Sequence, residues 1–153
     1  MSVTIKRVAA GDPGFGELAR LFDEYRVHYG EMSDPAGTAA WLSEQLGSGR
    51  LRAAVAFGRV PGRAAGFVTS AVLPASLRLA TFWFVRDLFV SPAERRGGTA
   101  RALLDDVVTA ARATGALRVS LQTEPDNLAA LALYRAAGFH PVEGLTSLSL
   151  PLT

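Results

Sequence analysis

One junction constrains the fold more than any other part of the chain. The apolar, β-rich run 77 to 90 (LRLATFWFVRDLFV) passes through Ser91-Pro92-Ala93-Glu94 and a glycine-rich turn straight into an amphipathic helix. That helix shows its stripe as Leu103, Leu104, Val107, Val108 and Ala111. A cleanly alternating segment, 117 to 123, follows after Gly115. A strand, a helix and a second strand in that order form a crossover unit, whose two strands lie parallel in one sheet.

The rest of the chain fits around that unit. Residues 3 to 8 (VTIKRV) alternate as a strand, and Phe15, Leu18, Phe22, Tyr25 and Tyr29 recur at helical spacing over 15 to 29. Ser33-Asp34-Pro35 reads as a helix start, with Trp41, Leu42 and Leu46 as the buried stripe and Gly47 to Gly49 as the stop. Segments 51 to 57 and 64 to 72 form a hairpin across a turn containing Pro61-Gly62. Asp126 is expected to cap a last helix that runs to Gly138, and Leu145 to Leu150 to form a final strand. The expectation is a single α/β domain spanning 1–153, with a mixed, mostly antiparallel central sheet and helices on both faces.

Composition narrows the chemistry. At 153 residues, 49% apolar and 20% charged, the chain has enough material for one hydrophobic core. No apolar run approaches the ~20 residues of a membrane-spanning helix, and the first residues lack a secretory-type apolar segment, so a cytoplasmic protein is expected. With no cysteine and only His28 and His140, thiolate and histidine-rich metal sites are excluded, and no metal is expected. Sixteen cations, fifteen of them arginine, exceed fourteen acids by only two, which argues against nucleic acid as a partner.

Two segments carry the chemistry. In Arg95-Arg96-Gly97-Gly98-Thr99-Ala100-Arg101, small residues expose backbone NH groups beside the positive end of the following helix, making an anion cradle of diphosphate size. The turn lacks the Gly-Lys-Ser/Thr ending of a Walker loop and does not match G-x-G-x-x-G, so ATP and NAD are disfavoured. In the second segment, Asn127 and Tyr134 lie about 20° apart around a helix, with Ala130 and Leu131 on the same stripe. Ala130 lets a ligand chain approach, Asn127 offers its amide, and the Tyr134 hydroxyl can donate a proton. Read singly, the first segment is equally a glycine-rich turn and the second a capped helix with a core tyrosine.

Taken together, Asp87 to Phe139 resembles the GNAT superfamily of acyl-CoA-dependent N-acetyltransferases. Arg95, Gly98 and Ala100 fit its R/Q-x-x-G-x-G/A loop, and Asn127, Ala130, Tyr134, Gly138 and Phe139 fit its N-x-x-A-x-x-x-Y-x-x-x-G-F pattern. Thr99 departs from the usual apolar residue, and Arg96 from a common glycine. The resemblance implies acetyl-CoA as co-substrate and direct acetyl transfer to a primary amine of a small molecule or peptide.

It also implies roles. Leu88, Phe89 and Val90 would line the pantetheine arm, with the Leu88 NH as oxyanion donor on a bulged strand, and Arg95 to Arg101 would hold the pyrophosphate. Tyr134 would be the general acid. Asp87 would assist deprotonation of the amine or play a structural role with an arginine. The segment 86 to 90 is similar to a strand of diamine acetyltransferases, with Arg86 in place of their glutamate. Some histone-type branches carry their acid at the position aligned with Phe84.

Tyr25, His28, Tyr29 and Glu31 would form an aromatic and acidic wall for the acceptor, unless both tyrosines serve the core. Trp83 is expected in the core or a subunit contact, and 79 to 89 and 145 to 152 are candidates for pairing in a homodimer. A second reading of the same residues is an acyl-CoA-binding sensor or interaction module without acceptor chemistry.

Overall fold

The computed structural model describes residues 3–153. They fall into two compact units, Met1–Gln122 and Thr123–Thr153.

The first unit carries one open sheet of five strands: β1 (Thr4–Val8), β2 (Arg52–Phe57), β3 (Ala64–Ala75), β4 (Ala80–Val90) and β5 (Val119–Ser120), in spatial order β1-β2-β3-β4-β5. Neighbours are antiparallel except β4 and β5, which run parallel, as the intervening helix α3 (Thr99–Ala113) requires. The other two helices, α1 (Phe15–His28) and α2 (Pro35–Gly47), connect β1 to β2. Pro35 opens α2 behind Asp34, whose carboxylate accepts the Gly37 NH at 3.0 Å.

Alternation along β3 places helices on both faces of the sheet. A Cβ on Gly66 would meet Leu103 of α3 at 3.3 Å, whereas the next residue, Phe67, stacks its ring 5.2 Å from Phe22 of α1. Between α1 and the sheet, Leu18, Leu21, Phe22, Val55, Phe67 and Phe89 form the larger core. On the other face Leu103, Leu104, Val107 and Ala111 are buried, as the helical stripe predicts.

The decisive irregularity lies in β4. Ser70 pairs with Val85 but Thr69 pairs with Asp87, so Arg86 is an extra residue and β4 is bulged there. Val85 and Asp87, two residues apart, therefore stand on opposite faces. The ladder to β5 consists of Trp83↔Val119 and Phe84↔Ser120, whereas pairing with β3 continues to Val90. β4 and β5 thus part just before the bulge.

Several boundaries differ from the sequence reading. Leu77 to Leu79 belong to a 3₁₀ turn and its end, Leu79 taking φ 52°, so they close the β3–β4 hairpin as exposed leucines rather than extending β4. β5 shrinks from 117–123 to two residues, because an edge strand facing a bulged neighbour keeps its register only briefly. Trp41 is 46% exposed beside Phe22, while Leu42 takes the buried position on α2. Trp83 is buried, with the Arg52 guanidinium over its ring.

The second unit contains helix α4 (Leu128–Ala136). Its N-cap is Asn127 rather than Asp126, since the Asn127 side chain accepts the Ala130 NH at 3.1 Å. Gly138 follows the helix with φ 97°, as its terminator position demands. Residues 145–150 carry no regular secondary structure: alternation makes a strand only where a partner strand completes its hydrogen bonds.

Candidate active site

The bulge in β4 aims Asp87 at α1. The Tyr25 hydroxyl donates to Asp87 Oδ1 at 2.8 Å, and the Thr69 hydroxyl donates to Asp87 Oδ2. Three elements, α1, β3 and β4, meet at this carboxylate. The alternative of an arginine partner is not what the structure shows: among the described residues the hydrogen bonds to Asp87 come from hydroxyls. Burial, followed by the negative charge of Asp87, raises the Tyr25 hydroxyl well above the ordinary tyrosine range, so it stays protonated as a donor.

Asp87 lines a cavity of about 480 Å³. Its apolar walls are Phe22, Tyr25, Tyr29 and Trp41, and its polar lining includes Glu31 and Asp34. This is the size and character of a small-molecule site. Tyr25, Tyr29, Glu31 and Asp87 are brought together as expected. His28 stacks against Tyr29 and Phe89, 5.1 and 5.9 Å between ring centres, and does not line the cavity.

The connection between α1 and α2 that borders this cavity is tied down by Asp23. Its carboxylate accepts the Ser33 hydroxyl at 2.6 Å, the Asp34 NH at 2.8 Å and the Thr38 hydroxyl at 3.2 Å. These bonds, the one from Ser33 foremost, hold its pKa below the usual aspartate value.

The sequence reading missed Trp41, Phe22 and Asp34 as cavity-lining groups and Thr69 as the buried partner of Asp87. Asp34 had a signal as a helix cap. Thr69 had none, because only the bulged register places it opposite Asp87.

At the other end of β4 the turn before α3 is built as the anion cradle requires. Gly98, the N-cap of α3, has φ 78° with nothing within 4 Å of where a Cβ would stand, and no side chain caps the helix. The first-turn NH groups of Thr99 and Ala100 consequently lack partners from the helix itself and from a cap. Arg95 donates from Nε to the Val90 carbonyl at 3.1 Å, fixing the turn to the end of β4. Arg96 adopts φ 68°, and with Arg59, Arg95, Gly97 and Thr99 it borders a cleft of about 360 Å³. Arg101 instead engages Asp105 on its own helix at 2.9 Å.

Leu88 pairs with Val68, half-buried on the face opposite Asp87, and Phe89 and Val90 are buried beside the cradle. A β4 segment parted from β5, leading to a glycine turn whose Thr99 and Ala100 NH groups have no helical or side-chain-cap partner, fits an elongated ligand ending in phosphates. In the second unit, Asn127 spends its carbonyl oxygen on capping, and the half-buried Tyr134 packs edge-on to Phe139 at 6.1 Å. Among the described residues no group of three or more His, Cys, Asp or Glu could hold a metal, and no helix is long and apolar enough to cross a membrane.

Comparison with known proteins agrees with this architecture. The sequence model of the Acetyltransferase (GNAT) family matches residues 18–139. The uncharacterized N-acetyltransferase YhfO of Bacillus subtilis (strain 168) is 30% identical over 127 residues, covering 83% of this chain and 84% of its own. A crystal structure of a probable acetyltransferase superposes with a TM-score of 0.90 at 28% identity, over 98% of each chain. The aminoglycoside acetyltransferase meta-AAC0020, from an uncultured soil metagenomic sample and in complex with sisomicin, shares the fold with a TM-score of 0.82 at 23% identity, over 99% of this chain and 97% of its own. A β4 bulged and parted from β5, a glycine-capped α3 and these matches lead to one conclusion: the chain belongs to the GNAT acetyltransferase family.

Proposed function

We propose that the protein transfers an acetyl group from acetyl-CoA to a primary amine of a small molecule or peptide, by direct attack, with Asp87 receiving the amine's proton. The observation that carries this reading is Asp87 itself: a carboxylate held between two neutral hydroxyls at the wall of an aromatic and acidic cavity.

Acetyl-CoA supplies an activated thioester carbonyl and a thiolate leaving group. The residues that would hold it are Arg95, Arg96, Gly97, Gly98, Thr99, Ala100 and Arg101 for the diphosphate and the β4 backbone at Leu88, Phe89 and Val90 for the arm; the family pattern alone adds Asn127 and Ala130. The Leu88 NH would donate to the thioester carbonyl oxygen as negative charge develops on it. The rings of Tyr25 and Tyr29, with Glu31, receive the acceptor.

An amine of pKa near ~10 is almost wholly protonated at neutral pH, so a proton must leave it before attack. Asp87 accepts that proton directly or through one water. By the family pattern, Tyr134 would protonate the departing thiolate. Because a thiol has a pKa near ~8.5, that donation is the smaller contribution of the two.

The test is amine-dependent CoA release with a panel of an aliphatic diamine, an amino sugar and an alanine-initiated peptide. Asp87→Asn is expected to lower kcat by the ~10²- to 10⁴-fold of general base catalysis, and Tyr134→Phe by an amount at or below that range. Acetyl-CoA binding without CoA release for any amine would identify the protein as a binding module instead. Full activity in Asp87→Asn would remove the base assignment and leave the transferase reading standing.

A further inference from the structure

We propose that Tyr25 and Thr69 are positioning residues that clamp the two oxygens of Asp87 from opposite sides and set the plane of its carboxylate before the acceptor arrives. The proposal rests on the reading of Asp87 as the group that takes the amine's proton.

Each oxygen has its own donor. Tyr25 comes from α1 and bonds Oδ1 at 2.8 Å; Thr69 comes from β3 and bonds Oδ2. Rotation of the carboxylate about its Cβ–Cγ bond breaks both contacts at once. A carboxylate offers about four lone-pair directions, so two hydroxyls leave one on each oxygen for an incoming ammonium or water. Both donors are neutral, so the negative charge is oriented without being cancelled.

The donors are themselves fixed. Thr69 is fully buried in the middle of β3, where an unpaired hydroxyl is costly, and Asp87 is the acceptor it finds. The Tyr25 ring is caged by Phe22, Tyr29, Phe67 and Phe89, with ring centres 5.3, 5.3, 5.5 and 5.7 Å away. A tyrosine held only for packing needs the ring and not the hydroxyl. Here the hydroxyl reaches a carboxylate 62 positions away in the chain, at the wall of the acceptor cavity.

Misplacing a reacting group by about 1 Å can cost on the order of 10²-fold in rate. Tyr25→Phe and Thr69→Val are therefore expected to lower kcat by about 10- to 100-fold each, with acceptor KM and acetyl-CoA affinity changed less than about threefold. Thr69→Ser, which restores the hydroxyl, is expected to return kcat to within about threefold of the parent. The deciding measurement repeats Tyr25→Phe and Thr69→Val in an Asp87→Asn background, using the best acceptor of the amine panel. Residues acting through Asp87 cost nothing further there.

Equal losses in both backgrounds, or a raised KM with kcat unchanged, would overturn the proposal and make the Tyr25 hydroxyl a direct contact of the acceptor rather than a support of Asp87. Should Thr69→Val fold poorly, Tyr25→Phe alone decides, with the ligand-induced shift in Tm by acetyl-CoA confirming an intact protein. If Asp87→Asn retains full kcat, the base assignment fails and this clamp fails with it. If no amine is turned over while acetyl-CoA still binds, the transferase reading fails first and the clamp has no reaction to serve.

Discussion

Gly66 marks how closely two strands and a helix meet behind the site. A Cβ there would stand 2.6 Å from the Phe89 carbonyl and 3.3 Å from Leu103, so Gly66→Ala must push β4 or α3 outward. Overpacking of this kind costs about 1 to 3 kcal/mol, which for a domain of this size lowers Tm by roughly 3 to 10 °C in a thermal melt. Arg96 makes the opposite case. It holds φ 68°, a conformation that costs a residue with a Cβ about 1 to 2 kcal/mol, and glycine is common there in the family pattern. Arg96→Gly relieves that strain and gives back part of it as unfolded-chain entropy, so chemical denaturation is expected to show stability unchanged or raised by up to about 1 kcal/mol. The glycines and arginines of this turn were legible because their spacing is local. Thr69 was not, since nothing near it in sequence announces a partner 18 positions on across a bulged ladder.

Among the elements, β4 links the parts of the site: its start pairs with β5, its bulge turns Asp87 toward α1, and its end carries the turn into α3. Helix periodicity predicted α1, α2 and α3 closely, because each has an apolar stripe, and α2 also carries a recognisable start and stop. Strand ends were read less well. The hairpin tip at Leu77 to Leu79 looks like strand by composition, and the leucines of 145–150 alternate without gaining a ladder.

The helix α1 also predicts a pH response. Glu17, bonded first by Arg20 and then by the Ala64 NH, and Asp23, bonded first by Ser33, both have folded-state pKa values below their ordinary 4.5 and 3.8. Their contribution is complete above the unfolded values and is lost as pH falls through the lower folded ones. Stability measured by denaturant unfolding is thus expected to be flat from about pH 6 to 7 and to drop below about pH 4, with Asp23→Asn showing a shallower drop.

For the molecule as a whole, the α/β class and the parallel crossover followed from the order of periodic segments, and the family followed from two short motifs. The family resemblance implied a bulged β4, as observed, but not that the extra residue is Arg86 or that Thr69 faces Asp87, because register is a property of paired strands and not of either one. The proposed reaction requires that the parted β4 edge and the turn from Arg95 to Arg101 bind acetyl-CoA. Its most direct test is the change in Tm on adding acetyl-CoA to the parent protein and to Gly98→Glu, where a charged side chain enters the cradle at a φ of 78°. At ~100 times the dissociation constant, ligand adds about 2.7 kcal/mol, or roughly 5 to 10 °C, to the parent. That shift is expected in the parent and is lost in Gly98→Glu; an unchanged Tm of the parent at millimolar acetyl-CoA, or an equal shift in both proteins, would mean that this turn does not hold acetyl-CoA.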